Sequence, residues 1–351
     1  MAAPAYTYGT WRSHDATAIS WARMQANQGD YAGTGSDQDR MQIDWTEFDL
    51  CCDQVQQRRI SMMWMMWRCP PWAVSPSDRN FTDGFGGIGA SGVPTKMQYV
   101  RDFVGAVIRR AYRRNRRIRY LELWNEPDFL GPYPGCAFTG MPWQMVQMCA
   151  TAYDAAKSVD PEVIVLCPSQ YLALRMSQFL GARDPVSGKF GYQVCDALNI
   201  HPYRQGPNKA CQSGSDALYW AAGGGIGIRE ANRLLSLLGQ PPKPVYVTEW
   251  GLSTQAGDPE VIAFNALPSE AKRTYVSRML VMAALGGCPQ FTIFSGSGGF
   301  LAGDYTGDVS GVIAAVEDVH HKIAGRTLVA GGWLPDGSVT VTLDTGEVYT
   351  W

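Results

Sequence analysis

The run Tyr120-Leu121-Glu122-Leu123-Trp124-Asn125-Glu126-Pro127 is rich in strand-forming residues, halts at a carboxylate and turns into a proline-containing loop. A second segment, Val245-Tyr246-Val247-Thr248-Glu249-Trp250-Gly251, repeats the pattern with a glycine after the acid. Each reads as a β-strand whose last ordered position carries an acidic side chain. A carboxylate held at a rigid strand end, facing a loop layer, is placed for chemistry rather than for solvation. Roughly 120 residues separate Glu126 from Glu249, and a βα unit takes roughly 30–40. Three such units fit between them, as between the fourth and seventh strands of an eight-stranded barrel.

Strand-like and helix-like runs alternate along the rest of the chain, which argues for a parallel α/β sheet. Residues 60–67 (ISMMWMMW) have strand length and suit a barrel wall buried on both faces. Further strands are expected at 6–12, 163–167, 197–200 and 290–294, and helices at 44–57, 95–114, 141–158, 227–238 and 269–285. Up to and including the Asn-Glu-Pro strand only three strands can be found, one fewer than a regular barrel needs, so its first strand is weak or missing. Beyond residue 326, alternating runs are separated by Pro335-Asp336-Gly337 and Asp344-Thr345-Gly346. Such turn residues between alternating runs signal hairpins. The predicted organisation is a (β/α)8 TIM barrel over residues 1–325 with a small β-hairpin appendage over 326–351 packed on it.

Two carboxylates are the minimum equipment for hydrolysing a glycosidic bond: one protonates the leaving oxygen and the other attacks the anomeric carbon. The motifs that carry this reading have company. In order along the chain stand Trp11-Arg12-Ser13-His14-Asp15, Trp21, Asp44-Trp45-Thr46-Glu47-Phe48-Asp49, Cys69-Pro70-Pro71-Trp72-Ala73 and His201-Pro202-Tyr203. With the two glutamate motifs, they make residues 9–295 resemble a glycoside hydrolase of clan A, most similar to family 39. The resemblance implies a retaining double displacement on a β-glycosidic bond, with Glu126 as acid/base and Glu249 as nucleophile. It implies that Asn125 bonds the sugar 2-hydroxyl, and that one or both of the His201 and Tyr203 rings face the carboxylates. Arg12 is the candidate donor that keeps Glu249 ionised, and His14 lines the same face. Trp250 and Trp72 are the candidate sugar-stacking rings, because large aromatics combine contact area with a polar edge. The clan often carries a tryptophan at the end of strand eight; here Phe291-Thr292-Ile293-Phe294-Ser295 has none.

The substrate expected is a polysaccharide or oligosaccharide. Gly- and Pro-rich insertions at 75–93, 128–142 and 203–227 suit an extended cleft and endo action, on a bacterial exopolysaccharide for instance. An exo-acting β-xylosidase-like enzyme, a transglycosylase and a glycan-binding barrel without turnover are the rival readings.

Other features exclude more than they suggest. A net charge of −2 gives no global pull towards nucleic acid. No apolar run approaches the roughly 20 residues that span a bilayer. No signal peptide is visible after Met1, which leaves the location open between outside and inside the cell. Gly84-Phe85-Gly86-Gly87-Ile88-Gly89 spells a dinucleotide-binding pattern, but no strand precedes it and Pro94 follows, so it reads as a loop. The four histidines and nine cysteines include no H-E-x-x-H and no C-x-x-C, and neither metal nor cofactor is expected. The cysteines read mostly as buried thiols. The dense basic run from Arg109 to Arg119 reads as a solvated helix end at the bottom of the barrel, with contact to an anionic partner as the alternative.

Overall fold

The computed structural model describes residues 10–12, 24–26, 41–43, 45, 48–50, 52–53, 61–82, 89–114, 117–202, 226–250, 262, 264–289, 291 and 310–351. The chain divides into two compact units. One holds Trp11–Gln170 and Leu174–Leu198; the other holds Met1–Thr10, Tyr171–Ala173 and Asn199–Trp351.

In the first unit, strands β1 (Thr10–Arg12), β4 (Ser61–Met65), β5 (Ile118–Glu122) and β6 (Ile164–Leu166) form one sheet in the order β1-β4-β5-β6. β4 and β6 both run parallel to β5. The register sets Met65 beside Glu122 and Glu122 beside Leu166. β4 is buried beyond its first residue, as its unbroken apolar run predicts for a strand covered on both faces. Between β1 and β4 lies an antiparallel pair, β2 (Met24–Ala26) and β3 (Met41–Ile43), which the sequence reading did not anticipate.

Two helices, one after β4 and one after β5, pack together. α1 (Met97–Arg113) buries Val100, Phe103, Val104, Val107, Ile108 and Ala111, a stripe at helical spacing. α2 (Pro142–Val159) starts with proline at its first position, where a missing N–H costs nothing. The Gln144 side chain accepts from the Met141 N–H at 2.8 Å and closes that helix start. A short helix, α3 (Ala173–Gly181), follows β6; it buries only Met176, Phe179 and Leu180, too few positions to stand out as a period.

In the second unit, β7 (Leu198–Ile200) pairs with β8 (Val245–Val247), and α4 (Ile228–Leu237) lies between them in sequence. Val247 also makes a parallel bridge to Phe291, the one described residue of the expected last barrel strand. α5 (Ser269–Leu285) packs on α6 (Ser310–Ile323), a helix that was not expected. A Cβ on Gly311 would lie 2.1 Å from the Ser269 carbonyl oxygen, so only glycine admits this approach of the two helix starts.

The C-terminal segment forms an antiparallel sheet in the order β11-β10-β9, with β9 over Leu328–Trp333, β10 over Val339–Leu343 and β11 over Val348–Thr350. The turns fall where the sequence places them, at Gly337 and Gly346 with φ of 82° and 84°. The segment has three strands rather than a lone hairpin, and β9 and β10 lie against α5. The Trp351 carbonyl accepts from Arg278 Nε at 3.0 Å, and its indole N–H donates to Asp318 at 2.8 Å. The described strands form open sheets, and no described helix is long and apolar enough to cross a membrane.

Three arginines of the basic run are paired within the chain. Arg110 and Arg114 pair with Asp49 and Asp53, and Arg117 forks onto Asp160 at 2.7 and 2.6 Å while also meeting Glu162. Among the thiols, Cys69 and Cys149 are fully buried, and burial pushes their ionisation well above the usual range, as expected for inert core cysteines.

The buried Asp160 carboxyl is held below the usual carboxylate range, chiefly by the Arg117 fork. A lowered acid stabilises the fold above its unfolded value of about 3.9, and that contribution fades as pH falls through the folded value. Asp160→Asn should therefore cost about 2 kcal/mol in urea unfolding at pH 7. The gap to the wild type should close below about pH 4.

Candidate functional site

The first constellation follows β5. The strand ends at Glu122, whose carboxylate is fully buried and whose carbonyl accepts the Met66 N–H at 2.9 Å. Past it the backbone enters conformations that side chains rarely adopt: φ is 104° at Trp124, 43° at Glu126 and 52° at Phe129. Each such residue costs on the order of 1–3 kcal/mol and persists only where its surroundings over-determine it.

Those surroundings can be named. Trp124 is fully buried, donates its indole N–H to the Ala137 carbonyl at 3.0 Å and meets Phe138 edge-on. Its carbonyl accepts the Ser169 N–H at 3.1 Å. The Ser169 hydroxyl accepts the Glu126 N–H at 3.2 Å and turns its own hydrogen to the Trp124 carbonyl at 3.4 Å. Gln170 donates to the Pro127 carbonyl at 3.3 Å. Asp128 then closes the following loop, accepting from Tyr133 Oη at 2.5 Å and from the Ala137 N–H at 3.1 Å. Asn125 and Glu126 are left half-buried, on a backbone fixed from both sides.

The second constellation ends β7 and β8. Asn199, His201 and Thr248 are fully buried, and Glu249 nearly so. Thr248 Oγ1 donates to Asn199 Oδ1 at 2.8 Å, and the same oxygen lies 2.8 Å from His201 Nε2. His201 Nδ1 lies 3.5 Å from Glu249 Oε2. The adjacent pairing of β7 and β8 brings Asn199 and His201 level with Thr248 and Glu249, although roughly 50 residues separate the segments.

The remaining expected residues divide. Trp250 presents no face to a ligand: it is fully buried, stacked on Tyr275 at 6.2 Å and tilted against Phe291 at 5.3 Å. In extended chain neighbouring side chains point to opposite sides, so Glu249 and Trp250 do not share a face. Trp72 lies in a 3-10 turn, half-buried, with Tyr99 edge-on at 5.1 Å. Arg12 is the last residue of β1. His14 and Tyr203 lie outside the described residues. Sequence reading passed over Glu122, Ser169, Gln170, Asn199 and Thr248. Only the position of Thr248 beside Glu249 was a signal, because the partners of the others come from distant strands.

The sequence matches no family model and no curated protein. The fold has clear relatives among solved structures. A GH39 β-xylosidase from Caulobacter crescentus is similar with a TM-score of 0.62 at 16% identity, over 94% of this chain and 67% of that one. The GH39 enzyme from Xanthomonas axonopodis pv. citri gives 0.60 at 16% identity, over 96% and 64%. A family 44 xyloglucanase from Paenibacillus polymyxa gives 0.59 at 12%, over 97% and 79%. The chain thus spans about two thirds of the length of the family 39 structures. In fold it resembles clan A glycoside hydrolases, family 39 among them.

Ser169→Ala removes the hydroxyl that ties Glu126 to Trp124. Equilibrium denaturation should show a loss of about 1 kcal/mol, the worth of a buried hydrogen bond. An unchanged midpoint would mean that the strained turn holds without it.

Proposed function

We propose that this chain is a retaining glycoside hydrolase built on a (β/α)8 barrel whose first strand is weak or missing. What carries the reading is the fold likeness to glycoside hydrolases over nearly the whole chain, joined to the two glutamates at strand ends. Glu249 closely follows β8 and Glu126 follows β5, the placement that the clan resemblance assigns to nucleophile and acid/base.

In the proposed reaction the Glu249 carboxylate attacks the anomeric carbon while Glu126 gives its proton to the departing glycosidic oxygen. A glycosyl ester on Glu249 results. Glu126, now ionised, takes a proton from water, which attacks the same carbon and frees the sugar with its configuration retained. The tasks differ in their demands. Glu249 must be ionised and fixed, which suits a nearly buried carboxylate beside a histidine. Glu126 must trade protons with bulk water, which suits its half-buried position. Asn125 would bond the sugar 2-hydroxyl, Arg12, His14, His201 and Tyr203 would surround the reacting carbon, and Trp72 would offer a stacking edge.

The substrate we propose is a β-linked polysaccharide, cleaved internally. The Gly- and Pro-rich stretches at 75–93, 128–142 and 203–227 would supply walls for an extended chain, and exposed Leu130 and Tyr133 lie on the loop closed by Asp128. Exo action of the β-xylosidase kind is the rival, favoured by the family 39 likeness. Among the described arginines of the basic run, Arg109, Arg113 and Arg119 are the ones an anionic partner would use, since Arg110, Arg114 and Arg117 are paired internally.

Glu249→Ala should lower turnover of an aryl β-glycoside by roughly 10⁴-fold or more, and azide should restore it with an inverted glycosyl azide as product. Glu126→Ala should keep the first step on an aryl glycoside with a good leaving group, seen as a burst of released phenol, because that departure needs no proton; turnover should then slow at the glycosyl ester, and cleavage of polysaccharide should be lost. A wild-type protein that binds glycans and cleaves none would establish the binding-module reading instead.

A further inference from the structure

The hydrogen bonds around Glu249 have a direction, and the direction selects a tautomer. A hydroxyl carries one hydrogen. Thr248 Oγ1 gives its hydrogen to Asn199 Oδ1 at 2.8 Å. The contact of the same oxygen with His201 Nε2, also 2.8 Å, must therefore run from ring N–H to hydroxyl. Nε2 carries a proton in either charge state of the ring. Nδ1, which faces Glu249 Oε2 at 3.5 Å, is then bare in the neutral ring and protonated only in the imidazolium.

We propose that Asn199, acting through Thr248, is a positioning residue that fixes the His201 tautomer, so that the ring can donate to Glu249 only as a cation. The inference rests on the reading of Glu249 as nucleophile, which gives the device its use. A neutral ring protonated on Nδ1 would bond Glu249 equally well and hold it as a modest acceptor. With Nε2–H enforced, the neutral ring turns a lone pair on the carboxylate and repels it, while the cation attracts it. The histidine and the glutamate thereby share their charges: an ionised Glu249 is stabilised together with a charged His201. Full burial of Asn199, Thr248 and His201 keeps water from substituting for any bond in the chain.

Long-range proton–nitrogen NMR of protein labelled with ¹⁵N-histidine tests this without any turnover. The His201 ring is assigned by its absence in His201→Asn. The expected wild-type pattern is a protonated Nε2 in every spectrum, and Thr248→Ser should keep it. Thr248→Val, which matches the shape and lacks the hydroxyl, should release the ring to the Nδ1–H form. In kinetics Thr248→Val should lower kcat about tenfold with KM little changed, and Thr248→Ser should stay within about threefold. A bare Nε2 in the wild type would mean that Asn199 turns its NH₂ to Thr248, and would overturn the proposal. An unchanged pattern in folded Thr248→Val would do the same. Should Thr248→Val fail to fold, the wild-type spectrum decides. An enforced Nε2–H in a protein whose Glu249→Ala variant keeps its activity would remove only the catalytic reading.

Discussion

The backbone between Trp124 and Phe129 cannot hold its shape by local preference. Three of its side-chain-bearing residues take positive φ, a conformation that glycine adopts freely and they do not. The turn survives because the chain after β6 returns to it: Ser169 bonds both sides of the peptide step into Glu126, and Gln170 holds Pro127. The parallel pairing of β5 with β6 is what brings that returning segment into range. Strain stored at a carboxylate is a common mark of a functional position, and here its supports are individually identifiable.

The second glutamate is held by a different means. From Val245 to Trp250 no residue takes a positive φ, and the constraint is polar: a buried amide, a buried hydroxyl and a buried imidazole in series. Buried polar groups are costly unless each is satisfied, so a chain of them specifies one arrangement of donors and acceptors. Behind each glutamate stands a residue with no part in the chemistry proposed for it: Ser169 for Glu126 and Asn199 for Glu249. In each case the supporting atoms come from a neighbouring strand end.

Much of the architecture was legible in the sequence. The β4 run, the α1 stripe, the helix starting at Pro142 and the turns at Gly337 and Gly346 all follow from period, caps and turn residues. The β2–β3 pair, α3 and α6 were not legible. β2 and β3 are three residues each, and α3 buries only three side chains, too short a stretch for periodicity to register. Trp250 misled for a simple reason: a ring beside a functional glutamate in sequence points to the other side of extended chain, and there it became core.

By itself the sequence placed a strand shortly before each of Glu126 and Glu249, because strand propensity and the Pro or Gly that follows are local properties; the strands end earlier than expected, at Glu122 and Val247. It also determined which segments are apolar on both faces. Only the tertiary structure decided which distant groups meet each carboxylate. Ser169 reaches Glu126 and Asn199 reaches Thr248 through strand pairing, and pairing partners are set by the whole sheet rather than by any short stretch of chain.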